Sequence, residues 1–247
     1  MSKQVPGVPG IRPVLAYVAL HNGPAKFEVP MQSVEIDTRG GTTSTAASAQ
    51  PTLPCRYRLP DGRQVELDYI GPSDRADLLA GFQGLSARSR YLRFFSAMPR
   101  LPDFIADGLL RTDRANHVAI GARLLDARGQ LLPPVVGVAR YFRTGESEHI
   151  AEPAIAVVDD LHGLGLGKRL LRRLSAVARS NGVTRFRAQV LDSNRRVRTL
   201  LADANAQFVE QDDAGVLTYE IDIRKTVTAP RGVLARLLAA MLGNRTA

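Results

Sequence analysis

Three alternating glycines, Gly163, Gly165 and Gly167, lie in the run His162-Gly163-Leu164-Gly165-Leu166-Gly167-Lys168, between an apolar segment and one with helical spacing. A glycine-spaced turn that opens a helix can hold an anion. Without Cβ atoms its backbone N–H groups close around a phosphate, and the helix start adds partial positive charge. Two phosphate-binding spacings fail. The pattern G-x-x-x-x-G-K-[S/T], aligned on Gly167 and Lys168, meets His162 and Arg169 where glycine and a hydroxyl residue are required. The pattern G-x-G-x-x-G, started at Gly163 or Gly165, finds Lys168 or Leu170 in place of its last glycine. A third spacing, Q/R-x-x-G-x-G/A, fits on Gly165 and Gly167, with His162 standing where Gln or Arg is usual.

The flanks separate an anion site from an ordinary tight connection. Before the turn, 150–158 reads as a strand. After it, Leu166, Leu170, Leu171, Leu174, Val177 and Ala178 form an apolar stripe at helical spacing, with Lys168, Arg169, Arg172, Arg173 and Arg179 elsewhere. Asn181-Gly182 stops that helix. Residues 185–191 alternate as a strand, and Asp192-Ser193-Asn194 opens another helix running through Ala204, with Asn194 suited to its N-cap.

The chain has 247 residues with 45% hydrophobic content, enough for one domain with extensions. A single cysteine, Cys55, allows no internal disulfide, and the four scattered histidines give no metal-ligand spacing. The expected compartment is therefore reducing and cytoplasmic, with no metal cofactor. The net charge of +9 would suit an anionic coenzyme, a nucleic acid or an acidic membrane surface. With low aromatic content and no nucleic-acid motif, no specific nucleic acid is expected. No stretch is long enough to span a membrane. Ile11–Leu20, broken by Arg12 and Pro13, makes a poor secretory signal.

Residues 1–54 hold seven of the fifteen prolines and include the low-complexity run 42–50, which together suggest an N-terminal extension and linker. Patterned sequence over 55–225 predicts a mixed α/β domain with about seven strands and about four helices. A first helix opens at Pro72-Ser73-Asp74, and a second carries Ser86 to Phe95. The tail 226–247 places Leu234, Leu237, Leu238, Met241 and Leu242 on one helical face, suited to packing on its own domain, to a homodimer or to a membrane surface.

In this order of strand, glycine turn, helix, strand and Asn-initiated helix, the chain resembles the GNAT superfamily of N-acetyltransferases. The segment Ser86-x-x-Ser89-Arg90-Tyr91-Leu92-Arg93-Phe94-Phe95 resembles one in bacterial protein lysine acetyltransferases of that superfamily. The resemblance implies a GNAT-like fold with a mixed, mostly antiparallel sheet. It also implies acetyl-CoA as co-substrate and a primary amine as acceptor, most plainly a protein lysine. A small-molecule amine, or a non-catalytic acyl-CoA-binding role, stays open. By resemblance, the pyrophosphate falls on His162, Gly163, Leu164, Gly165, Leu166, Gly167 and Lys168. Val157 and Val158 meet the pantetheine arm and the thioester carbonyl, and Asn194 touches the coenzyme. Glu152 takes the place of the glutamate that serves these enzymes as general base, with Glu146 and Glu148 as fallbacks. The segment 86–95 borders the acceptor groove, where its arginines could orient a carboxylate-bearing substrate; the competing reading leaves them in solvent. The sequence departs from the family where a tyrosine acid usually follows Asn194 by seven residues, because Leu201 stands there. Tyr91, Tyr141 and Tyr219 are substitutes without positional support. The usual Gly-Phe is replaced by Asn205-Ala206-Gln207-Phe208.

Overall fold

The computed structural model describes residues 52–143 and 147–225. Eight strands form one sheet: β1 (Cys55–Arg58), β2 (Gln64–Tyr69), β3 (His117–Leu125), β4 (Leu131–Arg143), β5 (Ile150–Val157), β6 (Arg185–Leu191), β7 (Gln207–Gln211) and β8 (Val216–Asp222). Five helices pack on it: α1 (Arg75–Gln83), α2 (Ala87–Phe94), α3 (Asp103–Leu110), α4 (Leu166–Ser180) and α5 (Arg195–Asp203). The strand order is β1-β2-β3-β4-β5-β6-β8-β7, antiparallel throughout except between β5 and β6.

The mixed, mostly antiparallel architecture agrees with the sequence reading, and two elements are added to it. β7 is exposed at every residue, so no buried face imposes alternation on it. In α3 the residues Ile105, Ala106, Gly108, Leu109 and Leu110 are all buried, and a short apolar run of that kind has no helical period to read. The extension and its linker through residue 51, Glu146, and the tail from 226 with its apolar stripe lie outside the described residues. Among the described residues, no helix is long and apolar enough to cross a membrane.

Two cores lie on opposite faces of the sheet. On one, the anticipated stripe of α4 is buried and packs on β3, β4 and β5. On the other, Phe82, Phe94 and Ile105 from the first three helices meet Ile70, Ala119 and Val135. There α1 presses hard on β4. A Cβ added at Gly81 would lie 2.0 Å from the Val135 carbonyl oxygen, so the backbones approach as only glycine permits.

The start of α2 is tied to the turn that precedes the glycines. Ser86 caps the helix, its Oγ accepting the Ser89 N–H at 3.1 Å. The Ser86 N–H, Ser86 Oγ and Ser89 Oγ all donate to the Asp159 carboxylate, at 2.8, 3.0 and 2.9 Å. Burial raises the Asp159 carboxyl, and the hydrogen bonds from Ser86 and Ser89 outweigh it, holding the group below its usual range. The serines of the 86–95 segment therefore fasten this helix beside the glycine turn.

Gly81→Ala should cost about 2–3 kcal/mol by overpacking, lowering the thermal midpoint by roughly 5–10 °C. Asp159→Ala should cost about 1 kcal/mol at neutral pH. A lowered folded pKa stabilises the native state above the unfolded value. The difference in midpoint from wild type should therefore be full above about pH 4 and shrink as pH falls further. Thermal denaturation from pH 7 to pH 3 checks both, and a pH-independent Asp159→Ala difference would remove the carboxylate from the account.

Candidate active site

β5 and β6 are paired only through Ile150↔Arg185 and Ala151↔Phe186, and then part. On its other side β5 pairs with β4 from Ala151 to Val157. The Val158 N–H donates to the Val136 carbonyl at 3.0 Å. Antiparallel alternation then turns the N–H groups of Val157 and Ile155 away from β4, along the edge that β6 has left. Pro153 falls on that same edge, so its missing N–H removes nothing from the β4 ladder. The parted strands open a cleft of about 570 Å³, lined by β5 from Glu152 to Val157, the glycine turn, the starts of α4 and α5, and Ala188 to Val190 of β6.

Gly163 and Gly165 have φ of +80° and +77°, a left-handed backbone that side chains rarely adopt. A Cβ at either position would meet no atom within 4 Å, so conformation and not crowding calls for glycine, and the space over the turn is open. Gly165 is the N-cap of α4 and offers no side-chain cap, whereas Ser86 and Asn194 cap α2 and α5. The first amides of α4 are thus free of side-chain partners at the cleft wall, with the positive end of the helix behind them. His162, Gly163, Gly165, Leu166, Gly167 and Lys168 line the cleft, while Leu164 packs against the core. Lys168 pairs with Asp203 of α5 at 2.8 Å.

The His162 side chain has partners within the protein. Its Nε2 lies 2.8 Å from the Val157 carbonyl oxygen, which can only accept, and its Nδ1 faces an Arg196 N–H, which can only donate. Both contacts are met by a neutral ring carrying its proton on Nε2. His162 therefore ties the turn to the end of β5 and to α5. Asn194 is buried, lines the cleft and accepts the Val197 N–H at 3.2 Å, so it serves as the N-cap at a position that reaches the cleft.

Glu152 lines the cleft at the start of the parted edge. Burial raises its carboxyl above the ordinary range, and the charges of Arg93 and Arg140 pull it part of the way back. Arg93 comes from α2, and burial pushes it down to about 10 against the opposing pull of Glu152. Arg140 lies opposite Ala154 on β4, is 3% exposed, and sits 3.9 Å over the Phe142 ring. Of the two readings of the 86–95 arginines, Arg93 takes the one beside the cleft. Arg140 and Asp159 escaped sequence reasoning. For Arg140 a signal existed, a lone charge inside the apolar run Val135 to Phe142.

Other anticipated positions fall elsewhere. Val158 lines a smaller cavity under α1 and α2, so of the two strand-end residues only Val157 borders the cleft. Glu148 is exposed and away from the cleft lining. Tyr91, Tyr141 and Tyr219 do not line it either, whereas Leu201 does. The Tyr141 hydroxyl is engaged with the Ala115 carbonyl at 2.8 Å. Among the described residues there is no group of three His, Cys, Asp or Glu side chains placed to hold a metal ion.

Comparison with known proteins agrees with this geometry. The profile of the Acetyltransferase (GNAT) family matches residues 88–203. The chain is 32% identical to Acetyltransferase Pat of Mycolicibacterium smegmatis over 178 residues, 72% of this chain and 51% of that protein, so it spans about half the length of that relative. It is 32% identical over 155 residues to Acetyltransferase PA5475 of Pseudomonas aeruginosa, covering 63% of this chain and 80% of that one. The crystal structure of the GNAT domain of S. lividans PAT superposes with a TM-score of 0.62 at 27% identity, over 68% of this chain and 96% of that domain. With its parted parallel strands, glycine turn and uncapped α4, the chain belongs to the GNAT family of acetyltransferases.

Proposed function

We propose that this acetyltransferase uses acetyl-CoA and transfers the acetyl group to the side-chain amine of a protein lysine by direct attack on the thioester. The observation that carries this reading is the meeting, in one cleft, of a half-buried carboxylate, a strand edge free of ladder partners and an open glycine turn. The likeness to Pat supports the protein acceptor.

Acetyl-CoA supplies an activated acyl group, and the chain supplies position and proton transfer. The turn amides from Gly163 to Lys168 and the start of α4 suit the pyrophosphate. The outward N–H of Val157 suits the pantetheine arm and the thioester carbonyl, where a donor fixed in advance stabilises developing negative charge. The tie from His162 holds that strand end in register with the turn.

An acceptor lysine, with a reference pKa of about 10.4, arrives protonated and must lose a proton to attack. Glu152 is the base for that step. Its raised affinity for protons brings it nearer the operating pH, while Arg93 and Arg140 keep the carboxylate form accessible. On collapse, the N–C bond has formed, the C–S bond breaks, and the sulfur takes its proton from water. A thiol of pKa about 8.5 needs no dedicated acid for this, which accounts for Leu201 at the tyrosine position.

Calorimetric titration with acetyl-CoA, with NADH as control, should give micromolar binding that Gly165→Asp abolishes, because a carboxylate in the turn repels the pyrophosphate. Absence of binding would sink the coenzyme reading. Glu152→Gln should lower kcat on a lysine peptide by about 10²–10⁴-fold while leaving acetyl-CoA affinity within about twofold. An unchanged rate would remove Glu152 as the base, and absence of turnover by the wild type despite acetyl-CoA binding would return the chain to a binding module. Because the ionised carboxylate is the working form, kcat/KM should fall on the acid side at a pH above the ordinary glutamate value of about 4.3, and Glu152→Gln should remove that limb.

A further inference from the structure

A second, smaller cavity, the side chamber, adjoins the cleft. A cavity of about 60 Å³ lies between β4, β5 and the first three helices, and it shares Leu85, Arg93, Ala154 and Ala156 with the main cleft. Its walls are otherwise apolar apart from Arg140. Space of that size takes roughly four or five non-hydrogen atoms. The small side chains of Ala154 and Ala156 lie at the junction, on the strand that carries Glu152 and Val157.

The charges in this chamber do not balance. Arg140 is 3% exposed, and its Nε and Nη1 have no hydrogen-bond partner. Arg93 and Arg140 repel each other, and Glu152 is the carboxylate that opposes them both. Two guanidinium groups against one carboxylate leave an excess positive charge in a place largely withdrawn from water. The Phe142 ring under Arg140 offsets part of that charge but accepts no N–H in the plane of the guanidinium. Buried polar groups in folded proteins are paired, and an unpaired guanidinium on a side chain that lines a cavity beside a substrate cleft points to a ligand atom that completes it. The matching group is a carboxylate, which pairs strongly with arginine.

We propose that the side chamber receives an acyl group ending in a carboxylate, of the succinyl type, carried on coenzyme A. This rests on the reading of the main cleft as the acyl-CoA site. Two methylenes would lie against Ala154, Ala156 and the apolar wall, and the terminal carboxylate would meet Arg140 and Arg93. The reaction keeps its form. The amine nitrogen bonds to the thioester carbonyl, the C–S bond breaks, Glu152 takes the amine proton, the sulfur takes a proton from water, and the product is an amide with a free carboxylate. A carboxylate on the acceptor, beside its amine, shares this chemistry. The donor is favoured because the chamber shares Ala154 and Ala156 with the cleft, on the strand that carries Val157, and fits a short chain.

The test is calorimetric titration of the full chain with coenzyme A, butyryl-CoA and succinyl-CoA, with free coenzyme A as the reference for each variant. Wild type should bind succinyl-CoA at least about tenfold more tightly than butyryl-CoA, which has four carbons and no terminal charge. In Arg140→Met that ratio should fall to within about twofold. Arg93→Gln, on the half-buried helix side, should lower it in the same direction and guards against an Arg140 variant that fails to fold. Mass spectrometry of a lysine peptide should show the succinyl adduct. Normal binding of coenzyme A with equal binding of the two thioesters overturns the proposal and leaves the coenzyme reading standing. No binding of coenzyme A overturns both. Preference for a peptide with Glu beside its lysine over one with Gln, lost in Arg140→Met, with no succinyl preference, assigns the carboxylate to the acceptor and overturns the donor assignment.

Discussion

Everything at the candidate site depends on two parallel strands that stop pairing after two residues. β5 and β6 separate beyond Ala151, and the edge of β5 is left with N–H and C=O groups that no strand satisfies. Buried backbone groups without partners cost about as much as lost hydrogen bonds, so such an edge persists where the fold holds it open and water or a ligand can reach it. Here both strands are fixed from outside, β5 by its ladder to β4 and β6 by its ladder to β8. Pro153 adds a local refusal to pair on that side. An extended, amide-bearing ligand lying along the edge would replace the missing strand.

The glycine turn completes this arrangement. α4 is held by its buried leucines against the sheet, so its N-terminus cannot drift from the end of β5. His162 and Asp159 then fix the intervening turn from two directions, one to Val157 and one to Ser86 of the α2 cap. The glycine turn, the strand edge and the α2 wall are consequently parts of one rigid frame. Arg93, carried on α2, reaches the vicinity of Glu152 because of that fastening.

Around Glu152 the electrostatics balance opposed demands. The proposed base would need a high proton affinity, which burial provides, and would also have to ionise, which the two arginines favour. Burial of guanidinium groups is itself unfavourable, and an excess of one buried cation is hard to rationalise as a stabilising device. It lies at the seam of two cavities, where the proposed acyl carboxylate would offset it.

Much of this was legible in the chain. Three glycines before an amphipathic stripe determine a turn and a helix, since conformational freedom and the 3.6-residue period are local properties. The cap at Asn194 and the alternation of β6 are local for the same reason. Val157 and Val158 were both brought to the strand end by the family resemblance, and their distinction was not legible, because it hinges on which of two consecutive N–H groups β4 takes. The partners of Asp159 are separated from it by 70 and 73 residues, and Arg93 meets Arg140 and Glu152 from another element altogether. The sequence determined the pieces that short-range periodicity and backbone sterics control. Tertiary structure decided where β5 and β6 part, which buried charges share a cavity, and how α2 is anchored, because those depend on contacts between residues distant in the chain.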